Sequence, residues 1–149
     1  MTDTAHSQSP LVGSWRLVSF ELRDEQGVVS RPWGDEVTGI NTYTADGFLS
    51  EQFGSAHRPA LAKDDWVSAT PVEIDLAARR YFAYAGSYEL DGQSVTYHLE
   101  ESLMPNWIGK TERRFWSVTD DTLTITTPPL LVGGKEQISI LIWKRAGTP

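Results

Sequence analysis

Acid–base chemistry is the first activity that the side chains of this sequence suggest. Between residues 94 and 103, polar and apolar side chains alternate, as in a β-strand with one polar face. The polar positions of this stretch are Ser94, Thr96, His98, Glu100 and Ser102. A neutral imidazole such as that of His98 can exchange a proton near neutral pH, and the carboxylate of Glu100 could orient it or share the proton. The stretch therefore predicts a catalytic His98 and Glu100, provided that its polar face lines a cavity.

Other side chains on neighbouring segments could complete such a site. Arg114 could stabilise a developing enolate or bind a carboxylate, and it is the third predicted catalytic residue. Tyrosine hydroxyls could donate hydrogen bonds to a carbonyl oxygen, and an aromatic ring in a rim loop, such as Trp107, could cap a ligand or plug that end. The predicted ligand-binding residues are Tyr43, Tyr84, Tyr88, Ser102, Trp107 and Trp116.

Metal and cofactor chemistry finds little support in the sequence. The chain contains 0 Cys and 3 His, and the histidines have no ligand spacing. It has no glycine-rich phosphate loop and no nucleophile elbow. We therefore expect neither a metal site nor a cofactor.

Short β-strands must position these candidates. Runs of β-branched and aromatic residues, bounded by turn residues, predict eight strands over residues 13–23, 38–44, 48–53, 84–90, 94–103, 110–118, 122–127 and 135–144. Thr70-Pro71-Val72-Glu73 is typical of a helix start and predicts one helix, running to about Ala83, between strands three and four. The segment from residue 54 to residue 83 is expected to form a lid on one end of the fold, with Val72 and Leu76 facing inward.

The sequence alone does not decide which face of strand five lines the interior. A two-residue turn at Asp91-Gly92 would place Tyr88 on the face of Val95 and Tyr97. A turn with a glycine bulge would instead place Tyr84 and Tyr88 with His98. A shift of one residue in register exchanges the two faces, so the hairpin decides whether His98 points inward.

The strand pattern predicts an all-β fold. Eight short strands joined mostly by hairpins favour an antiparallel up-and-down barrel, which at this strand number can hold one small ligand. We expect a flexible N-terminal arm over residues 1–10 and a single barrel domain over residues 11–146.

Charge and composition limit the partners. The formal net charge of -7 argues against binding to nucleic acid or to an anionic membrane surface. The polar N-terminus lacks the basic start and apolar stretch of a secretory signal, so a cytoplasmic location is expected. A small hydrophobic ligand or substrate is the expected partner, and a homodimer is also considered.

Several motifs resemble a known family. Gly13-Ser14-Trp15 at the start of strand one, with Trp143-Lys144-Arg145 ending the last strand, resembles the lipocalin signature. The remaining stretches are Gly39-x-x-x-Tyr43-Thr44-x-Asp46-Gly47-Phe48, Tyr84-x-Gly86-x-Tyr88-Glu89-x-Asp91-Gly92, His98 with Ser102, and Pro105-Asn106-Trp107 with Gly109. They are similar to the bacterial and fungal lipocalin-like domain family, a calycin-type barrel. The resemblance implies that Trp15 closes the barrel floor under Arg145 or Lys144, and that His98 occupies a motif position.

Three classes of function follow from a barrel of this kind. The first is binding of a small, largely apolar or aromatic molecule in the cavity. The second is a cofactor-independent cyclase, isomerase or lyase that acts on a polyketide- or terpenoid-like substrate by acid–base catalysis. The third is a purely structural or interaction barrel, which requires a filled interior. Cavity volume separates the third class from the other two, because fold alone does not determine function.

Overall fold

Antiparallel strands form most of the molecule in the computed structural model, which describes His6 and residues 9–147. The strands are β1 (Gly13–Asp24), β2 (Val29–Ser30), β3 (Val37–Tyr43), β4 (Phe48–Ser55), β5 (Tyr81–Asp91), β6 (Ser94–Ser102), β7 (Thr111–Thr119), β8 (Thr122–Thr126), β9 (Leu130–Val132) and β10 (Lys135–Arg145). One α-helix, α1 (Pro71–Ala78), and two single 3-10 turns, Trp66–Ser68 and Pro105–Trp107, complete the described elements. Most of the arm predicted over residues 1–10 lies outside the described residues.

The long strands close into a barrel. Each is paired with its neighbour in the order β1-β3-β4-β5-β6-β7-β8-β10, and β10 pairs back onto β1 from Trp15↔Arg145 to Asp24↔Gln137. This arrangement confirms the predicted closed, eight-stranded antiparallel barrel. Closure leaves the long strands without an open edge, so their inward faces enclose a common interior.

The number of strands that precede the helix differs from the prediction. Val29 and Ser30 pair with Arg23 and Leu22 and form a short strand, β2, that is not among the eight predicted strands. The helix therefore lies after β4 rather than between strands three and four. Similarly, β9 adds three residues beside the start of β10.

Helix α1 begins as predicted and ends earlier. The Thr70 hydroxyl accepts a hydrogen bond from the backbone of Glu73, whose carboxylate accepts one from the backbone of Thr70 in return, which completes a capping box. The helix stops at Ala78 rather than near Ala83. Residues 81–83 pair with β4, because hydrogen bonding and side-chain burial in the sheet outweigh the local helical pattern.

The barrel floor is built around Trp15. Its ring is fully buried, its indole N–H donates to the Leu11 carbonyl at 3.0 Å, and the Arg145 guanidinium lies 4.1 Å from the ring centroid. Gly13 permits this packing, because it has a φ of +132° and a Cβ there would lie 2.7 Å from Arg145 Nη1. The prediction that Trp15 is buried under a basic side chain from the last strand is confirmed, and that side chain is Arg145.

A bulge at Glu100 sets the orientation of strand β6. Ala85 pairs with Glu101 and Gly86 pairs with Leu99, so Glu100 is the extra residue. A Cβ on Gly86 would lie 2.0 Å from the His98 carbonyl oxygen, so only glycine fits opposite this bulge. In the hairpin before it, Tyr88 pairs with Tyr97 and Leu90 with Val95. Asp91 pairs with Ser94, so the turn residues are Gly92 and Gln93 rather than the predicted Asp91 and Gly92. The faces are those of the first alternative, with Tyr88 beside Val95 and Tyr97.

None of the helices in the described residues combines the length and the apolar character that are needed to cross a bilayer.

Candidate functional site

An internal cavity occupies the end of the barrel opposite Trp15. Its volume is about 310 Å³, roughly the space that ten water molecules fill in the liquid. It is lined by Phe20, Leu22, Pro32, Trp33, Phe53, Arg79, Phe82, Tyr84, Trp107, Arg114, Ile125, Thr127, Leu130, Val132, Ser139 and Leu141. Concave, mostly apolar sites of this size are typical of small-molecule binding.

Aromatic rings form one wall of this cavity. Trp33 packs against Phe20 and Phe53 with ring centroids 5.0 and 5.4 Å apart, and Trp107 lies 4.9 Å from Phe82 and 5.9 Å from Tyr84. These contacts hold the rings in defined orientations, which suits a flat, apolar ligand.

A buried cation lies on the wall among these rings. Arg114 projects from β7 with only 2% of its surface exposed, and its guanidinium carbon lies 5.6 Å from the Tyr97 ring and 5.9 Å from the Trp107 ring. Its Nη1 donates to the Arg113 carbonyl at 2.9 Å and to the Glu112 carboxylate at 3.3 Å. The arrangement leaves a positive charge at the surface of an otherwise apolar cavity.

A buried carboxyl group lies behind Tyr84. Glu51 on β4 is 1% exposed, and the Tyr84 hydroxyl donates a hydrogen bond to its Oε2. Burial raises the pKa of Glu51 to about 7, although the Tyr84 hydrogen bond and the nearby Arg114 charge act in the opposite direction. Glu51 is therefore close to half protonated at neutral pH, and its other oxygen finds no hydrogen-bond partner among the described residues.

A second polar cluster lies deeper, towards the floor. The Asn41 amide donates to the Tyr43 hydroxyl at 3.2 Å, and the Tyr43 and Tyr97 hydroxyls bond to each other. Burial raises the pKa of Tyr43 and Tyr97 well above the ordinary value, so both remain neutral. The cluster fills the interior between Trp15 and the cavity, which limits the cavity to the other end of the barrel.

The predicted histidine lies on the outer surface. The His98 side chain is 43% exposed and its ring nitrogens lie 3.3 Å from Glu89 and from Thr111, both outside the barrel. Glu100 is exposed at the bulge. The prediction that His98 and Glu100 line the cavity is wrong, because the register of the β5–β6 hairpin turns Val95, Tyr97 and Leu99 inward instead.

We expect the substitution His98→Ala to leave ligand binding unchanged within about twofold, since exposed side chains away from a site contribute little. Titration of the variant and the wild-type protein with the same ligand measures this directly. A tenfold loss of affinity would show that the outer face of β6 takes part in binding.

The other predicted side chains divide between the cavity and other places. Arg114, Tyr84 and Trp107 lie on the cavity wall. Tyr43 and Tyr88 are buried outside the cavity lining, and the Tyr88 hydroxyl donates to the Thr44 carbonyl at 2.7 Å. Ser102 lines a separate depression with Ser50 and Gln52, and Trp116 lines another with Phe115. The structure thus unites three of the nine predicted residues at one site and places the others elsewhere.

The predicted lid reaches the cavity only at its end. Arg79, which follows α1, lies on the cavity lining. Val72 and Leu76 are 68% and 44% exposed, so the prediction that they face inward is wrong. The helix is held mainly by its capping box and by contacts with the start of β5, which leaves its apolar side chains in solvent.

Sequence reasoning missed the buried carboxyl group of the interior. Glu51 stands between Leu49 and Phe53 at inward positions of β4, so an acidic residue on an apolar face was the available signal. The wall residues Phe20, Leu22, Phe53, Phe82, Ile125 and Leu141 were missed as well. They belong to the same alternating patterns that predicted the strands.

Within the part of the chain that the structure describes, no three His, Asp or Glu side chains come close enough together to hold a metal ion.

Comparison with known proteins gives a family match over nearly the whole barrel. The sequence profile described as "Lipocalin-like domain" matches residues 12–146. The chain is also similar to the 4'-hydroxy-3'-methoxypropiophenone carrier protein ppsC of Aspergillus oryzae. The two are 32% identical over 106 residues, which cover 65% of this chain and 96% of that protein.

Two solved structures resemble the barrel more distantly. One is a lipocalin-like protein from Bacteroides uniformis, 14% identical, with a TM-score of 0.44 over 92% of this chain and 99% of that one. The other is an uncharacterized protein from Bacteroides eggerthii, 12% identical, with a TM-score of 0.45 over 91% of this chain and 98% of that one.

Proposed function

The chain belongs to the lipocalin-like domain family, and from this premise we propose that it binds a small, largely apolar or aromatic molecule inside its barrel. The observation that carries the proposal is the cavity of about 310 Å³, whose wall is mostly aromatic and aliphatic. Transfer of an apolar molecule from water into such a space is favourable by about 25 cal/mol for each Å² of apolar surface removed from water. The rigid wall reduces the conformational cost of binding.

Two further observations support a binding role. A filled, purely structural barrel would not retain a space of this volume, because protein interiors are otherwise closely packed. The similar Aspergillus oryzae protein is named as the carrier of a hydroxylated and methoxylated aromatic ketone. The aromatic wall of this cavity suits a compact aromatic molecule of that kind.

The acid–base alternative is not proposed. The two residues that would have exchanged the proton, His98 and Glu100, lie on the outside of the barrel. Without them, Arg114 can position or stabilise an anion but, because it stays protonated, cannot act as the base, and Glu51 lies behind Tyr84, outside the cavity lining.

Filling the cavity is the direct test. We expect Leu141→Trp to lower the affinity for the neutral aromatic fluorophore N-phenyl-naphthylamine by more than about tenfold, because the larger ring occupies the space that the ligand needs. The gain in dye fluorescence on titration measures binding.

The matched control is Ile140→Trp, one residue earlier on β10 and on the opposite face. It adds the same ring outside the cavity and should bind the dye as the wild-type protein does. Equal binding by both variants, or failure of the wild-type protein to bind the dye saturably, would contradict the proposed function.

A further inference from the structure

Arg114 is a buried charged group of the cavity wall with unused hydrogen-bonding capacity. Its Nη1 is bonded to the Arg113 carbonyl and to Glu112, whereas its Nε and Nη2 find no hydrogen-bond partner among the described residues. Both nitrogens keep some accessible surface, and Arg114 lies on the cavity lining. Two N–H groups on one edge of the guanidinium therefore remain for a bound molecule.

The other polar groups on the cavity wall are bonded within the protein or lie in solvent. The Thr127 hydroxyl accepts from the Ser139 backbone at 2.9 Å, and the Tyr84 hydroxyl donates to Glu51. Arg79 donates from its Nε to Asp75 at 2.6 Å, and its side chain is 77% exposed, so water screens its charge. A polar ligand group entering the cavity therefore meets its strongest available donor at Arg114.

The charge of Arg114 is only partly balanced. The contact with Glu112 is 3.3 Å long, whereas charge-assisted N–H···O bonds are ordinarily about 2.7–2.9 Å. Glu51, the other carboxyl group close enough to influence Arg114, is close to half protonated at neutral pH. A cation that is 97% buried at its side chain and weakly paired favours an anionic partner, because burial removes the water that would otherwise stabilise its charge.

We infer that the ligand carries one acidic oxygen group, a phenol or a carboxyl, on an otherwise apolar body, and that this oxygen binds as its anion to Nε and Nη2 of Arg114. The inference rests on the proposed function, since it names the ligand class of the same cavity. The apolar body lies against the ring wall formed by Trp33, Phe53 and Phe82, while the anionic oxygen accepts two N–H bonds from the guanidinium edge. A neutral analogue of the same shape keeps the apolar contacts and loses the charge-assisted bonds.

Two matched pairs of compounds test the inference. The phenol pair is para-hydroxypropiophenone and its methyl ether, and the carboxyl pair is para-propylbenzoate and its methyl ester. Quenching of tryptophan fluorescence reports binding, since Trp33 and Trp107 stand on the cavity wall. In the wild-type protein at neutral pH, the acid of at least one pair should bind about tenfold more tightly than its neutral partner, because the carboxyl is ionised there and the Arg114 charge favours ionisation of a bound phenol.

Substitutions at two adjacent arginines then test whether Arg114 causes the preference for the acid. In Arg114→Gln, the affinities for the acid and for its neutral partner should differ by no more than about twofold. Arg114→Lys keeps the positive charge but lacks the pair of N–H groups on one edge, so it should retain part of the preference. Arg113→Gln is the matched control, because Arg113 is exposed on the outer face of the same strand and should leave the preference intact.

The outcomes distinguish this inference from the proposed function. Saturable binding of the neutral ether and ester with no preference for either acid in the wild-type protein overturns the inference and leaves the binding function standing. A preference that survives in a folded Arg114→Gln variant also overturns it. A preference for the acid in only one pair supports the inference and identifies the phenol or the carboxyl as the anion. Failure of all four compounds and of N-phenyl-naphthylamine to bind overturns the proposed function itself.

Discussion

Replacing Trp15 with alanine is expected to lower the free energy of unfolding by about 3–5 kcal/mol, the usual cost of deleting a large buried aromatic side chain. Trp15 is fully buried, and its loss leaves a cavity at the barrel floor that the surrounding strands cannot close. The change also removes the hydrogen bond to the Leu11 carbonyl and the ring under Arg145. Urea unfolding followed by circular dichroism measures the difference.

Trp66→Ala is the matched control for this experiment. Its side chain is 75% exposed, so the same substitution there should change the free energy of unfolding by no more than about 0.5 kcal/mol. Similar effects of the two substitutions would contradict the role assigned to Trp15 as the floor of the barrel.

The second large effect concerns the buried carboxyl group of Glu51. Its pKa in the folded protein is raised from the ordinary value of 4.5 to about 7, with burial as the main cause. A raised pKa means that the unfolded chain loses this proton at a lower pH than the folded protein does. Stability from this group is therefore fully present below pH 4.5 and is lost progressively as the pH rises to about 7. The full loss amounts to about 3 kcal/mol, since one pKa unit corresponds to about 1.4 kcal/mol.

Glu51→Gln should remove this pH dependence. The amide has the shape of the protonated acid, stays neutral, and can still accept the hydrogen bond from Tyr84. We expect the variant to match the wild-type protein near about pH 4.5 and to be more stable by about 3 kcal/mol near about pH 8.5. Urea unfolding of both proteins at the two pH values measures the difference.

Glu89→Gln serves as the matched control, because the Glu89 side chain is 72% exposed. It should leave the pH dependence of the wild-type protein unchanged. If Glu51→Gln and the wild-type protein lose stability in parallel over this range, Glu51 is ionised in the folded state, and the electrostatics described for the cavity wall would need revision.

Local patterns in the sequence were enough to predict the elements of the barrel. The capping box at Thr70 and Glu73 is a short-range arrangement in which the residues themselves satisfy the exposed backbone groups, so it can be read without knowledge of the fold. The Asp46-Gly47 turn lies between strands whose alternating residues are visible in the sequence, and the turn between β5 and β6 was predicted one residue too early. The pairing of Gly13-x-Trp15 with a basic residue at the end of the last strand was also predictable, through the resemblance to the lipocalin signature.

The composition of the cavity wall could be predicted only in part. Tyr84, Trp107 and Arg114 were chosen for their chemistry, and they meet at one site. His98 and Glu100 were chosen on the same grounds and lie outside, because an alternating strand has two faces and its own pattern does not state which one is enclosed. The apolar face of β6 was the better indication, since burial of Val95, Tyr97 and Leu99 is favourable and burial of His98 without a partner is costly.

The sequence by itself determined which segments become the long strands and roughly where the chain turns, since these depend on short-range backbone preferences. It also determined how the floor of the barrel is closed, since that depends on one tightly packed motif. Only the tertiary structure decided the register of β6, the bulge at Glu100 and the early end of α1. Each of these depends on a hydrogen-bonded neighbour that lies far away in the chain. For the same reason, only the closed barrel shows that Glu51 and Arg114 share one interior, where removal of water raises the pKa of the carboxyl group and leaves the guanidinium facing the cavity.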